Sequence, residues 1–246
     1  LIMARRLHLE GMDVVGVAEI RPHPGGLLRN VVQCLDDFGI PLLLSHTVVE
    51  IHGRTRLAGV TLAEVDGTGA PRPGPGRFVE VDTLIVSVGL LPETEGVPFA
   101  PRDPATGGLA ASTRLQTAVP WLFAAGNCLA PFDLVDTVAA LGERAGAAAA
   151  RFARGELPSA PTVALRRGEG VAVLVPSAVV PAEPATLYLR ASRTMEMARV
   201  SVGPDRVGRT AREVRPAEMI EVRLTGEETE GMARLGEVTV EMTALR

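Results

Sequence analysis

The sequence predicts an α/β protein: a partial three-layer sandwich followed by a small β-rich C-terminal domain. Three observations predict it. Leu1–Glu10 and Val14–Ile20 read as a helix running straight into a β-rich strand, the back half of a βαβ unit. Thr117–Ala150 (TAVPWLFAAGNCLAPFDLVDTVAALGERAGAAAA) reads as a turn, a short apolar strand, a Gly-Asn break, a loop and a small-residue helix. After Phe152, short strands separated by charged and polar residues take over.

In order along the chain, Leu1–Glu10 is apolar at Leu1, Ile2, Met3, Leu7 and Leu9, and Gly11 stands where a terminating glycine belongs. Glu19 lies at the end of the following strand. In the Rossmann fingerprint an acidic residue roughly 20 residues past the glycine turn binds a ribose 2′-hydroxyl. Glu19 takes that place if the last glycine immediately precedes Leu1. The chain therefore reads as a fragment cut just after an NAD-binding G-x-G-x-x-G. Arg21–Asn30 is a Pro- and Gly-rich loop, and Leu27, Val31, Leu35 and Phe38 then recur at helical spacing up to Gly39. Pro41–Leu44, Thr47–Ile51, Leu57–Val65 and Phe78–Val81 read as short strands, with Asp66–Gly76 as a turn or hairpin connection. Thr83–Val88 reads as a buried strand ending at Gly89.

Leu122–Ala125 is short enough for a strand buried on both faces. Gly126 lets the backbone come close to a ligand at its carboxyl end, and Asn127 offers a short polar side chain there. A helix starts near Asp136, with Asp133 and Asp136 as candidate caps and Gly142 and Gly146 as sites of close helix packing. Strand, break and helix amino end form a crevice suited to a phosphate-bearing ligand. Ala153–Pro161 is a linker. Val171–Val175, Thr186–Arg190, Ala198–Val202, Met219–Leu224 and Val238–Met242 read as strands of the terminal domain.

Composition narrows the function classes. The 246 residues are 46% hydrophobic with a net charge of −4, and no basic cluster suggests a nucleic-acid surface. All 25 basic residues are Arg, which excludes a Schiff-base or P-loop lysine within this sequence. The two cysteines, Cys34 and Cys128, lie far apart, against a disulfide scaffold and compatible with a reducing cytosol. No stretch reads as a signal peptide or transmembrane segment, so a soluble, cytoplasmic protein is expected.

Thr117, Pro120, Leu122-Phe123, Ala124, Gly126 and Asn127 together resemble the second flavin motif of the two-dinucleotide-domain flavoproteins, the pyridine nucleotide-flavin oxidoreductases. Asn127 stands where most of them carry Asp. Gly89-Leu-Leu-Pro92 is similar to the segment that returns the chain from the NAD domain to the FAD domain in that superfamily, with Glu93 where Asn often follows. The resemblance implies a Rossmann-like FAD/NAD(P)-binding sandwich. Residues 1–88 would be the NAD(P)-binding domain lacking its first strand and glycine turn, 89–155 the C-terminal part of the FAD-binding domain, and 156–246 the β-rich domain.

It also implies FAD and NAD as cofactors, with NADP second. Glu19 and Arg21 would lie at the nucleotide ribose, Gly89 at the crossover, and Gly126 and Asn127 at the flavin ribityl chain. Asp136, Thr137 and Val138 would sit at the helix end that faces the flavin pyrimidine. EIRPHPGGLLRNVVQCLDDFGIPLLLSHTVVEIHG, DTLIVSVGLLPETE and FDLVD look closer still to a bacterial subgroup found beside glycerol-3-phosphate-dehydrogenase-like partners, over Leu1–Phe152, which implies such a partner protein. The subgroup's loop histidines are replaced by Leu129-Ala-Pro-Phe132, so their role is not carried over. The terminal domain has neither His nor Cys, unlike the His-Glu interface domain of glutathione-reductase-type enzymes.

Plainer readings stand beside these. The plainer alternative for Glu19 is an ordinary charge at a strand end, and for Asn127 a turn residue. Arg21 and Arg29 either accept a 2′-phosphate or are solvated. Cys34 reads as core and Cys128 as a structural thiol, and the four histidines lack ligand spacing. For the whole chain the expectation is an FAD-dependent oxidoreductase passing electrons between NAD(P)H and an unidentified acceptor or partner. The alternative is a non-catalytic electron-transfer or assembly subunit, or an inactive fragment.

Overall fold

Helix α1 (Ile2–Leu9) opens the chain and ends at the expected glycine. Gly11 has φ +89°, Met12 N–H donates to Leu7 O at 3.0 Å and Gly11 N–H to His8 O at 3.0 Å. Those two bonds are a Schellman ending, which needs a residue in the left-handed region. The computed structural model describes residues 1–203 and 207–245; positions 204–206 and 246 of the expected β-rich domain lie outside them. The described chain divides into two units, Leu1–Val88 and Gly89–Arg246.

In the first unit, β1 (Val17–Glu19) is joined through helix α2 (Leu28–Cys34) to β2 (Leu42–Leu44), and the two strands pair in parallel. A parallel pair requires such a crossover, so a βαβ unit is present. Buried Ala4, Leu35 and Ile40 hold it together, with Val17, Phe38 and Leu42 packed against them. The expected helix up to Phe38 is broken: α2 stops at Cys34, and Asp36–Phe38 form a 3₁₀ turn before Gly39. An antiparallel sheet follows, β3 (His46–His52), β4 (Gly59–Glu64) and β5 (Arg77–Val79), so Asp66–Gly76 is indeed a hairpin connection.

Thr83–Val88 is not a strand. It has no pairing among the described residues, and Val88 is 92% exposed.

The second unit begins irregularly and then forms α3 (Val135–Ala153). Leu122–Ala125 is only a bridge, with Phe123 opposite Gln116 and the Ala124 N–H donating to Leu115 O at 2.8 Å. It pairs along one edge, so Ala124 is buried while Leu122, Phe123 and Ala125 are half-buried. Gly142 and Gly146 are exposed, and a Cβ at either would meet nothing within 4 Å among the described residues, so the expected close packing there is absent.

The β-rich part is a sandwich. One sheet holds β6 (Val163–Arg167), β8 (Ala178–Val179), β10 (Met195–Val202), β11 (Val207–Val214) and β13 (Glu237–Ala244). The other holds β7 (Val171–Val175), β9 (Ala185–Ala191) and β12 (Ile220–Leu224). Leu187 and Leu189 from one sheet and Val200, Val238 and Met242 from the other share one core. A short helix, α4 (Gly226–Glu230), is closed by a capping box between Thr225 and Glu228.

Candidate flavin and nucleotide site

Thr117 builds the entry turn. Its N–H donates to Leu122 O at 3.0 Å, and its hydroxyl accepts from Val119 N–H at 3.1 Å while lying 3.1 Å from Leu122 O. The chain runs on extended to Ala125 and reverses at Gly126, whose φ is +63°. A Cβ on Gly126 would lie 2.8 Å from Val138 Cγ1. Glycine is therefore required twice, by the left-handed backbone and by the contact with the first turns of α3.

The residues Gly126–Cys128 form one 3₁₀ turn, closed by Leu129 N–H donating to Gly126 O at 2.9 Å. The Cys128 thiol donates to Ala125 O at 2.8 Å, which accounts for it as a turn-closing group. Cys34 is buried, as a core residue should be.

Asn127 is exposed, and its Oδ1 accepts from Phe132 N–H at 3.0 Å. Its carboxamide thus ties the turn to the loop that precedes α3. The Nδ2 group, a donor, has no protein partner among the described residues.

Asp133 and Asp136 do not cap α3. The cap position is Leu134, with no side-chain hydrogen bond. Asp133 instead binds Arg190 and the Met219 N–H, and Asp136 is an exposed residue of the first turn. Without a cap the first-turn amides stay open, and the helix dipole makes that end attractive to negative charge. Thr137 and Val138 are half-buried there, Val138 against Gly126.

In the other unit Glu19 ends β1 half-buried. Its Oε1 accepts from Arg21 N–H at 2.9 Å, and its Oε2 would touch a Cβ on Gly25 at 2.7 Å. The carboxylate therefore sits inside the Arg21–Gly25 loop. The side chains of Arg21 and Arg29 are exposed and form no ion pair among the described residues. Gly89 has φ +110° and is exposed.

Sequence reading missed Arg190, the partner of Asp133. Its only signal is the one charge in a mostly apolar strand, ATLYLRA.

Among families, the pyridine nucleotide-disulphide oxidoreductase model matches residues 17–168. The chain belongs to that family, whose members are FAD- and NAD(P)-dependent oxidoreductases. Its fold is a partial Rossmann-like α/β sandwich with a β-rich domain. No curated protein matches.

Among solved structures it is similar to a thioredoxin reductase from Gloeobacter violaceus, with 20% identity, 51% of this chain, 40% of that one and a TM-score of 0.27. An atypical thioredoxin reductase from Desulfovibrio vulgaris Hildenborough gives 20%, 54%, 40% and 0.23. LpdA from Mycobacterium tuberculosis gives 20%, 77%, 39% and 0.40. The chain thus spans about two fifths of the length of each of these structures.

Proposed function

We propose that the protein carries electrons between NAD(P)H and an acceptor or partner through bound FAD. The observation that carries the reading is the Gly126 reversal packed on Val138, followed by an uncapped α3. The glycine lets the turn lie close against α3, and the open amides suit an electron-rich group.

FAD supplies the redox chemistry when bound. Gly126 holds the turn against α3 where the cofactor would lie, and Asn127 Nδ2 would donate to a ribityl hydroxyl while Oδ1 keeps the loop closed. The amino end of α3, with Asp136, Thr137 and Val138, would face the flavin pyrimidine. Gly89 marks the crossover from the NAD(P)-binding part (1–88) to the FAD-binding part (89–155), and 156–246 forms the β-rich domain. Glu19 would accept from the ribose 2′-hydroxyl of NAD, with Arg21 beside it. A carboxylate repels a 2′-phosphate, which supports NAD ahead of NADP.

A glycerol-3-phosphate-dehydrogenase-like partner rests on the resemblance of residues 1–152 alone. Cytoplasmic location rests on two free cysteines. Among the described residues no helix is long and apolar enough to cross a membrane.

The test is NADH-dependent reduction of ferricyanide by the purified whole protein. Turnover is expected with NADH ahead of NADPH, and Glu19→Ala should narrow that preference. Equal kcat/KM for the two nucleotides, unchanged by the substitution, removes Glu19 from the site.

A further inference from the structure

Strand β9 has two working faces. Leu187, Leu189 and Ala191 are fully buried in the sandwich core, as alternate residues of one strand face should be. Tyr188 and Arg190 point the other way, onto the loop between Asn127 and α3. The Tyr188 and Phe132 rings meet edge-on at 5.4 Å and 81°.

Arg190 Nη2 donates to Pro131 O at 3.1 Å and to Asp133 Oδ1 at 3.0 Å, and its Nη1 donates to Ala217 O at 3.3 Å. The other oxygen of Asp133 accepts from Met219 N–H at 3.2 Å. The two side chains are only 19% and 13% exposed. Pro131, Phe132 and Asp133 are thus held from the β domain by one aromatic contact and a shared ion pair. Asn127 Oδ1 holds the same loop from the side of the Gly126 turn. Leu134, the next residue, is the cap position of α3.

We infer that Arg190 and Asp133 are a positioning pair through which the β domain sets the amino end of α3, and with it the affinity and reduction potential of the flavin. The inference rests on the reading of this turn and helix end as flavin-facing. Both residues would act through the loop and not by touching the cofactor. Breaking a buried pair on one side leaves the other charge without its partner, so the loop must shift to solvate Asp133. The helix end moves with the loop, and its dipole then stabilises reduced, negatively charged flavin less.

The experiment uses the whole protein as parent, Arg190→Met, Arg190→Lys and Asp133→Asn. FAD affinity is read by fluorescence titration, the flavin midpoint potential by equilibration with a reference dye, and folding by circular dichroism. Arg190→Met is expected to weaken FAD about ten-fold or more and to lower the midpoint potential. Arg190→Lys, which keeps a donor, should recover part of both.

If Arg190→Met does not fold, Asp133→Asn, which keeps size and one acceptor, decides by the same two readings. A folded variant with the parent's affinity and potential overturns the inference. So does a loss of thermal stability with an unmoved potential, because the pair would then be structural only. A parent that binds no FAD overturns the flavin reading itself, and the inference with it.

Discussion

At the residue scale, the proposed site asks two things of one carboxamide, Asn127. Its oxygen is used by the Phe132 amide, which leaves its NH₂ for a ligand. Asn127→Ala in the whole protein loses both. A buried partner left without its hydrogen bond costs about 1–3 kcal/mol, or about 5- to 150-fold in affinity. Flavin titration should show a loss of that order with an unchanged circular dichroism spectrum. Asn127→Asp should be tolerated, because a carboxylate still accepts from Phe132 N–H and from a hydroxyl. FAD held as tightly by Asn127→Ala as by the parent would make Asn127 a turn residue only. The residue types at this site were legible in the sequence, since Thr117, Gly126 and Asn127 sit in an ordered motif. The division of labour within Asn127 was not, because it depends on where the Phe132 amide comes to lie. The Asp133–Arg190 pair joins positions 57 apart in sequence, and no local pattern announces it.

At the element scale, Gly126 sits close against Val138 of α3. Alanine at position 126 meets an unfavourable left-handed backbone, a cost of about 1–2 kcal/mol, and its Cβ needs space that Val138 occupies. Gly126→Ala should lower the urea midpoint. Adding Val138→Ala should restore only part of the loss, because it relieves the contact and not the backbone. Full restoration would assign the whole cost to the contact. Elements with internal signals were readable: the α1 ending at Gly11, the hairpin over Asp66–Gly76, and β7, which matches Val171–Val175 to the residue. The capping box Thr225–Glu228 is equally legible, as Thr and Glu three residues apart. Thr83–Val88 and Leu122–Ala125 failed as buried strands for a common reason. An apolar run states what a segment tolerates in a sheet, but a strand exists only where neighbouring backbone pairs with it. The first segment finds no such neighbour among the described residues, and the second finds one edge.

On the scale of the whole molecule, long-range ion pairs join the motif region to the sandwich. Arg114 grips Glu183 with Nε–Oε2 at 2.9 Å and Nη2–Oε1 at 2.5 Å, and it also donates to Pro158 O at 2.6 Å. The Arg114 hydrogen bonds hold the Glu183 carboxyl below its ordinary value. A carboxyl whose folded pKa is depressed contributes its full stabilisation above the ordinary carboxylate range and loses it as pH falls through the folded value. Thermal stability should therefore decline on the acid side of that range, and Glu183→Gln should flatten the decline. An identical acid limb in parent and variant would remove Glu183 as its source. The central claim, that this fold serves a flavin reduced by a nicotinamide nucleotide, is tested most directly by anaerobic mixing of the whole, FAD-loaded protein with NADH while flavin absorbance is followed. The oxidised-flavin band is expected to bleach in proportion to the NADH added, and more slowly with NADPH. A flavin that binds and stays oxidised under excess NADH would contradict it.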